Sequence, residues 1–140
     1  MIFIVMSKIM NPPSTRIFVF GSNTAGRHGK GAALHARLYY GATTGVGIGH
    51  IGQCYAIPTK DQRLRSYDLN TIKHYVEAFL TYAREHPELE FNVTKIGCGL
   101  AGHKSEDIAP MFEFAPNNCW FDPHWKELLG PTRNYWEPNI

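Results

Sequence analysis

Cysteine is scarce in this chain of 140 residues, and the three present, Cys54, Cys98 and Cys119, form no CxxC pair and stand too far apart for a zinc knuckle or a disulfide framework. A reducing compartment, the cytoplasm, is the expected setting. Charge of one sign is also thin, because 14 Lys and Arg against 12 Asp and Glu leave a formal +2. Apart from Lys60, Arg63 and Arg65 the basic residues are scattered, so no phosphate-tracking stripe is visible and a small anion suits the weak field better than bare nucleic acid. No apolar run approaches the roughly 20 residues of a membrane span. The leading run, Ile2-Phe3-Ile4-Val5-Met6, lacks the basic lead and small-residue cleavage site of a signal peptide. Residues 1–14 read as an edge strand or a flexible leader, with Met6 or Met10 as alternative starts. Histidines at HxxxH spacing and carboxylate clusters are missing, which gives no metal site, and no motif calls for a cofactor.

A hydrophobic content of 44% with 19% charged residues describes a folded globular chain and excludes disordered, collagen-like and coiled-coil classes. Its length suits one domain with one core. Glycine is the abundant residue: nine of 13 lie between positions 21 and 52, a stretch that must contain much loop with backbone other residues resist.

After Asn11-Pro12-Pro13-Ser14, which breaks regular structure, Arg16 to Phe20 is a β-branched and aromatic run read as a buried strand. Gly21 to Lys30 reads as a loop. Residues 31–40 carry Ala32, Ala33, Leu34, Ala36, Leu38 and Tyr39, suited to a helix packed close to a sheet and stopped by Gly41. A loop or glycine-laced strand over 45–52 leads to a second strand, Gln53 to Ile57, ended by Pro58. The clearest helix follows Asp68, with Leu69, Ile72, Val76, Phe79, Leu80 and Ala83 on one face, Asp68 as cap, Tyr67 as a staple onto Ile72, and His86-Pro87 as its end. Phe91 to Ile96 reads as a third strand, Ser105 to Ile108 as the first turn of a short helix, and Cys119 to Phe121 as a last strand. The pattern dissolves after Lys126, so the expected division is a leader (1–14), a domain (15–125) and a C-terminal tail (126–140). Trp120, Trp125, Tyr135 and Trp136 make either a packed tail or a sticky surface for a partner. His35, His74 and His86 read as solvent-facing.

Alternating strands and helices predict an α/β sheet with helices on both faces, and in such sheets ligands lie at the carboxyl ends of strands. Two familiar phosphate motifs fail on inspection. Around Gly26-Arg27-His28-Gly29-Lys30-Gly31, a P-loop would need glycine at Thr24 and a hydroxyl residue at Gly31. Gly47-Ile48-Gly49-His50-Ile51-Gly52 matches GxGxxG but precedes a strand instead of joining a strand to a helix. Gly21 to Gly31 is better placed. It leaves a strand and enters a helix, so the backbone N–H groups of Gly29 to Ala32 can meet an anion, and Asn23 can offer its amide to a sugar hydroxyl or phosphate; a tight turn needing positive φ is the plain alternative. Gly97 to Gly102 repeats the arrangement.

Asn23-Thr24-Ala25-Gly26-Arg27-His28-Gly29-Lys30-Gly31-Ala32-Ala33 resembles the asparagine-to-glycine loop and following helix of macrodomains, which bind ADP-ribose. Ile96-Gly97-Cys98-Gly99-Leu100-Ala101-Gly102 resembles the second phosphate loop of the branch that includes the terminal ADP-ribose glycohydrolases and the antitoxins of DNA ADP-ribosylating toxins. Tyr55-Ala56-Ile57-Pro58-Thr59-Lys60 is similar to the strand exit that carries the catalytic lysine of that branch. The likeness runs from about Arg16 to Phe112, and the whole chain also looks like a group of small bacterial and phage proteins. It implies a three-layer α/β/α fold with a mixed central sheet, a pocket for ADP-ribose or a related ADP-ribosyl metabolite, and ligand-binding residues Asn23, Gly26, His28, Gly29, Gly31, Ala32, Thr59, Gly97, Cys98, Gly99, Leu100, Ala101, Gly102 and His103, with Lys60 as the catalytic residue. Two departures stand out. Nothing acidic precedes Asp61, where macrodomains commonly hold the adenine amino group with an early aspartate. Ala101 stands where acid-using glycohydrolases have aspartate, although the antitoxin type has glycine there and relies on its lysine.

Lys60 can act as a phosphate-binding cation, as a nucleophile at the anomeric carbon, or as a plain surface lysine beside Asp61. Cys98 is a small buried side chain or a nucleophile, and His28 and His103 can converge on one ligand as donors or as acid and base. Binding of ADP-ribose is the leading expectation. An ADP-ribosyl glycohydrolase acting on DNA or protein through Lys60 is the enzymatic alternative, with nucleic acid a partner only as modified substrate. Sequestration of an ADP-ribose-derived signal by a phage or mobile-element protein is another.

Overall fold

The computed structural model describes residues 15–137, so the expectations for 1–14 fall outside the described residues. The elements are β1 (Ile17–Asn23), α1 (Gly31–Tyr39), β2 (Gly49–Ile51), β3 (Cys54–Lys60), α2 (Leu69–Glu85), β4 (Phe91–Val93), α3 (Ser105–Ile108), β5 (Cys119–Phe121), α4 (Lys126–Leu129) and β6 (Asn134–Tyr135), with 3-10 turns at Ala109–Phe112 and Pro123–Trp125. The strands form one sheet in the order β2-β3-β1-β4-β5-β6. β1 is parallel to β3 and β4, β4 to β5 and β5 to β6, whereas β2 runs antiparallel to β3 at one edge. The sheet is therefore mixed, as expected.

Side chains alternate across a strand, and the two faces bury different cores. Val19, Ile57, Val93 and Phe121 pack with Ile72, Val76 and Phe79 of α2 and with Phe112 and Trp125 of the short turns. On the other face Phe20, Cys54 and Ala56 meet Ala33, Ala36 and Tyr40 of the α1 region in a much smaller cluster. Alanines on α1 let that helix sit close to the sheet. Three layers result.

α2 follows its sequence signals. Asp68 has extended backbone and accepts the Thr71 N–H at 2.8 Å, while His86 closes the C-terminus. The ring of Tyr67 lies 5.9 Å from that of Tyr75. The Thr71 N–H holds the exposed Asp68 carboxyl below its usual range. A group whose pKa is lowered by folding contributes its stability above the ordinary aspartate value and loses it as pH falls through the lowered one. Asp68→Ala is therefore expected to melt earlier than wild type at neutral pH. The gap should close in strong acid, which paired melting curves at the two conditions check.

Several boundaries differ from the sequence expectation. β1 continues through Gly21 and Ser22 to Asn23, because β3 offers it a parallel partner along that whole length. Pro58 does not end β3 but lies inside it, opposite Ser22. β2 pairs only with Cys54 to Ala56, so Pro58 stands beyond the reach of that strand, with a neighbour on one side, where a missing N–H is tolerated. β4 stops at Val93 because Thr94 turns its N–H and hydroxyl onto the Val19 carbonyl at 3.1 and 2.7 Å. After Lys126 the chain forms α4 and adds β6 to the sheet. The aromatic residues of this region are packed: Trp125 is fully buried and the Trp136 indole donates to the Val93 carbonyl at 3.0 Å. His74 is exposed as expected, but the His35 ring packs among Phe18, Tyr39 and Tyr40, and the His86 ring stacks 4.0 Å from Tyr82.

Candidate functional site

β1, β3 and β4 are parallel, so their carboxyl ends open onto one edge of the sheet. Three connections meet there: residues 24–30 after β1, 61–68 after β3, and 94–104 after β4. Gly21 lies where they come together, since a Cβ on it would stand 3.4 Å from the Gly97 nitrogen and from Cγ2 and Oγ1 of Thr59. Thr59 is buried and donates its hydroxyl to the Ser22 carbonyl at 3.2 Å, making it part of the floor.

The first glycine loop is braced from within. Asn23 is 8% exposed, and its amide grips the backbone of Arg27 twice: Nδ2 donates to the carbonyl at 2.8 Å and Oδ1 accepts the N–H at 2.9 Å. Gly26, at φ +71°, accepts the Gly45 N–H at 2.8 Å. His28 is turned into the protein, with Nε2 at 3.0 Å from both the Thr43 and Val46 carbonyls and its ring edge-on to Phe20. Carbonyls only accept, so Nε2 carries a proton and divides it between them; Nδ1 is buried without a partner. Asn23 thus braces the loop from within, and His28 and Gly26 hold it on the 43–47 segment. Gly29, Gly31 and Ala32 are exposed beyond it. Lys30, the α1 cap residue, makes no side-chain capping bond. Among the described residues the N–H groups of Gly29, Lys30, Gly31 and Ala32 have no acceptor, as expected for the open end of a helix.

The second loop reaches the first at Leu100, whose Cδ1 lies 3.7 Å from where a Cβ on Gly31 would stand. Gly97, at φ +74°, and Gly102, at φ +81°, turn the chain, with the Gly102 N–H donating to the Gly99 carbonyl at 3.0 Å and the His103 N–H to the Gly97 carbonyl at 2.9 Å. The N–H groups of Gly99, Leu100 and Ala101 have no acceptor among the described residues. Cys98 is half-buried and receives the Ser105 hydroxyl at 3.6 Å, itself an acceptor for the Trp125 indole at 3.0 Å. Burial pushes the Cys98 thiol up, against the direction a nucleophilic thiolate needs. Its hydrogen-bond partners among the described residues are Ser105 and the Ile96 carbonyl, not a histidine.

His103 does not face His28 across the cleft. Its Nε2 donates to the Tyr67 carbonyl at 2.8 Å. Ser66 donates to the Ala101 carbonyl at 2.7 Å, and the Tyr67 hydroxyl lies 3.4 Å from Thr24 Oγ1. The 61–68 connection is therefore a strap that ties one glycine loop to the other. Sequence reasoning missed Ser66, and Tyr67 was readable only as a helix staple; no local spacing marks a cross-loop bond.

Lys60 ends β3 opposite Asn23, just past a register shift between Ser22 and Asn23. Its carbonyl accepts the Thr24 N–H at 3.0 Å, and the residue is half-buried. No carboxylate or carbonyl of the described residues pairs with its amine. Asp61 is engaged elsewhere: it accepts the N–H groups of Arg63 and Arg65 at 2.8 and 3.0 Å and the Arg65 guanidinium at 3.3 Å. The Arg65 N–H is the main reason that its carboxyl lies below the usual range. Along the three connections and at the end of β3, Arg27, Lys30, Lys60, Arg63, Arg65, Lys95 and Lys104 make up seven of the chain's 14 basic residues, against two acids, Asp61 and Asp68. The weak net charge concealed this concentration. Among the described residues no group of three His, Cys, Asp or Glu could hold a metal, and no helix is long and apolar enough to cross a membrane.

The macrodomain of Mycobacterium tuberculosis DarG superposes on this chain with a TM-score of 0.60 at 18% identity, covering 94% of this chain and 93% of that one. The chain has a macrodomain-like fold. A protein of unknown function from Bacteroides thetaiotaomicron is similar at TM-score 0.50 and 17% identity, over 73% of this chain and 82% of that one. No protein-family model and no curated protein matches the sequence. In this macrodomain-like frame the two glycine loops and Lys60 all stand at the carboxyl edge of the parallel strands.

Proposed function

We propose that this chain binds ADP-ribose or a related ADP-ribosyl metabolite, with the diphosphate between the two glycine loops. One observation carries the reading. On two touching loops, the backbone N–H groups of residues 29–32 and 99–101 lack acceptors among the described residues, and a diphosphate has the oxygens to satisfy them. Macrodomains, whose loops these resemble, bind ADP-ribose. The basic rim adds a field of the right sign.

Calorimetry with ADP-ribose, NAD and AMP tests the assignment: heat is expected with ADP-ribose, and a folded sample silent to all three would sink it. Gly99→Ala sharpens the test. A Cβ at Gly99 meets nothing within 4 Å and its φ is not in the left-handed region, so the fold does not require glycine there. If a phosphate approaches that backbone, the methyl should weaken ADP-ribose binding roughly tenfold or more, the scale of one charge-assisted hydrogen bond, with the melting temperature unchanged. Equal affinity in the variant removes the second loop from the phosphate site.

A second reading, ADP-ribosyl glycohydrolase, is favoured by Lys60, a half-buried residue at the end of β3 whose amine has no carboxylate partner among the described residues. In that reaction the Lys60 nitrogen bonds to the anomeric carbon as the glycosidic bond breaks, the departing group takes the bonding pair and a proton, and water then releases ADP-ribose from the lysine. The basic rim suits an anionic carrier, so ADP-ribosylated DNA is the substrate to try before ADP-ribosylated glutamyl protein.

A further inference from the structure

Among the described residues Leu64 is the one residue other than glycine with left-handed backbone, at φ +63°. A bulky side chain resists that region. Burial does not offset the strain, because Leu64 is 39% exposed, and glycine or asparagine would make the same turn more easily. Asp61 imposes the conformation. Its Oδ1 accepts the N–H groups of Arg63 and Arg65 at 2.8 and 3.0 Å, its Oδ2 the Arg65 Nε at 3.3 Å, and its carbonyl the Leu64 N–H at 3.0 Å. Lys60 and Ser66 close the base of the turn as an antiparallel bridge, where the Asp61 N–H donates to the Arg65 carbonyl at 2.8 Å. A braced turn therefore holds an apolar side chain out in solvent. Beside it the Arg63 guanidinium has no hydrogen-bond or ion-pair partner among the described residues, whereas that of Arg65 is taken by Asp61. Strain that the surroundings over-determine and the core does not use points to a role at the surface.

The turn adjoins the candidate site. It begins one residue after Lys60, and Ser66 at its base donates to the Ala101 carbonyl of the second glycine loop at 2.7 Å. We propose that the 61–65 turn docks the nucleic-acid strand that carries the ADP-ribosyl group, with Leu64 packed on an unstacked base beside the pocket and Arg63 paired with the adjoining phosphodiester. This inference rests on the glycohydrolase reading, which puts the anomeric carbon at Lys60, so that an attached carrier leaves the pocket next to this turn. The strand is single, because a base inside a duplex must be taken out of the stack before chemistry can reach it. Leu64 decides between carriers. The carboxylates of an acidic polypeptide would answer Arg63 and leave the leucine in water, whereas a nucleotide brings a flat base and a phosphate together. Because Asp61 has already fixed the turn, docking orders no loop.

Binding to the Lys60→Ala protein, which leaves the substrate intact, tests this with two ligands: ADP-ribose, and a single-stranded DNA oligonucleotide carrying one ADP-ribosylated base. The oligonucleotide is expected to bind roughly tenfold tighter or more. Arg63→Ala or Leu64→Asn, added to that protein, should each remove most of the gain, with ADP-ribose affinity and melting temperature unchanged. Arg63→Ala should also lower the salt slope of oligonucleotide binding by about 0.7, the share of one phosphate on a single strand. A gain that survives both substitutions overturns the proposal. An equal loss of ADP-ribose affinity also overturns it, since the turn would then be a wall of the pocket. A complementary strand that leaves the gain intact, or a larger gain with an ADP-ribosylated glutamyl peptide, overturns the choice of carrier. Release of ADP-ribose by the wild-type protein is scored separately. A gain without release upholds the docking surface while the glycohydrolase reading fails, and release without a gain does the reverse.

Discussion

On the proposed glycohydrolase reading, Lys60→Ala is expected to leave a folded protein without release of ADP-ribose from ADP-ribosylated DNA. Three placements combine to give this side chain its weight. It sits at the carboxyl end of β3, in register with Asn23 just past the shift, with its carbonyl bonded to the Thr24 N–H at the start of the first loop. It is half-buried, and the nearest acid in sequence, Asp61, is bonded to Arg63 and Arg65. An amine so placed is available to a ligand and not consumed by an ion pair. If its nitrogen forms a bond to the anomeric carbon, truncation removes the reacting atom, and turnover should fall by about 10^2-fold to 10^4-fold or beyond, the range lost with a directly participating group.

Binding separates participation from attraction. A lysine that only attracts phosphate would be replaced in part by Lys60→Arg, which keeps the charge. A lysine that bonds to carbon would not, because the guanidinium stays protonated and is a poor nucleophile. The expected pattern is therefore lost turnover in both variants, with ADP-ribose affinity reduced in Lys60→Ala and largely restored in Lys60→Arg. Unchanged turnover in Lys60→Ala would remove the residue from the chemistry, and restored turnover in Lys60→Arg would reduce it to a counter-ion. Ala101 gives the experiment its interest, since that position holds no acid to share the work.

Position relative to the strands was the most legible property of this chain. Ile17 to Phe20, Cys54 to Ile57 and the amphipathic α2 announce themselves by residue type and period, and the glycine clusters that follow two of the strands mark the edge where the loops meet. What each polar side chain does there was less legible, because it is decided by neighbours distant in sequence. Asn23 and His28 look like ligand contacts in a list of residues, yet the first grips its own loop and the second donates to carbonyls 15 and 18 positions away. The strap of Ser66 and Tyr67 is formed by bonds to Ala101 and Thr24 that no local pattern encodes. Pro58 misled for a similar reason: proline ends a strand flanked on both sides, but β2 is too short to flank β3 at that point. Even the charge told less than its distribution, since half of the basic residues gather on one rim of a nearly neutral protein.

Gly47→Ala is expected to be strongly destabilising, although Gly47 belongs to the GxGxxG sequence whose dinucleotide reading is excluded because it leads into β3 and does not join a strand to a helix. A Cβ there would fall 1.9 Å from the carbonyl oxygen of Asn23, 3.0 Å from its carbon and 3.3 Å from the nitrogen of Gly26. All three are backbone atoms, so no rotamer change can make room, and either the 43–47 segment or the first glycine loop must move. Movement breaks the bond from the Ser22 hydroxyl to the Gly47 carbonyl and the His28 bonds to Thr43 and Val46. Overpacking of this kind together with two or three lost hydrogen bonds amounts to about 3–4 kcal/mol, or a melting temperature lower by roughly 10 °C for a chain of this size. The displaced loop carries the N–H groups of residues 29–32, so ADP-ribose affinity measured in the cold, where the variant is still folded, should fall as well. Gly99→Ala is the contrast, weakening the ligand without touching the melt. A Gly47→Ala protein that melts within about 2 °C of wild type, a change of well under 1 kcal/mol, would mean that the first loop does not rest on this segment. The bracing that presents its N–H groups would then have to come from elsewhere.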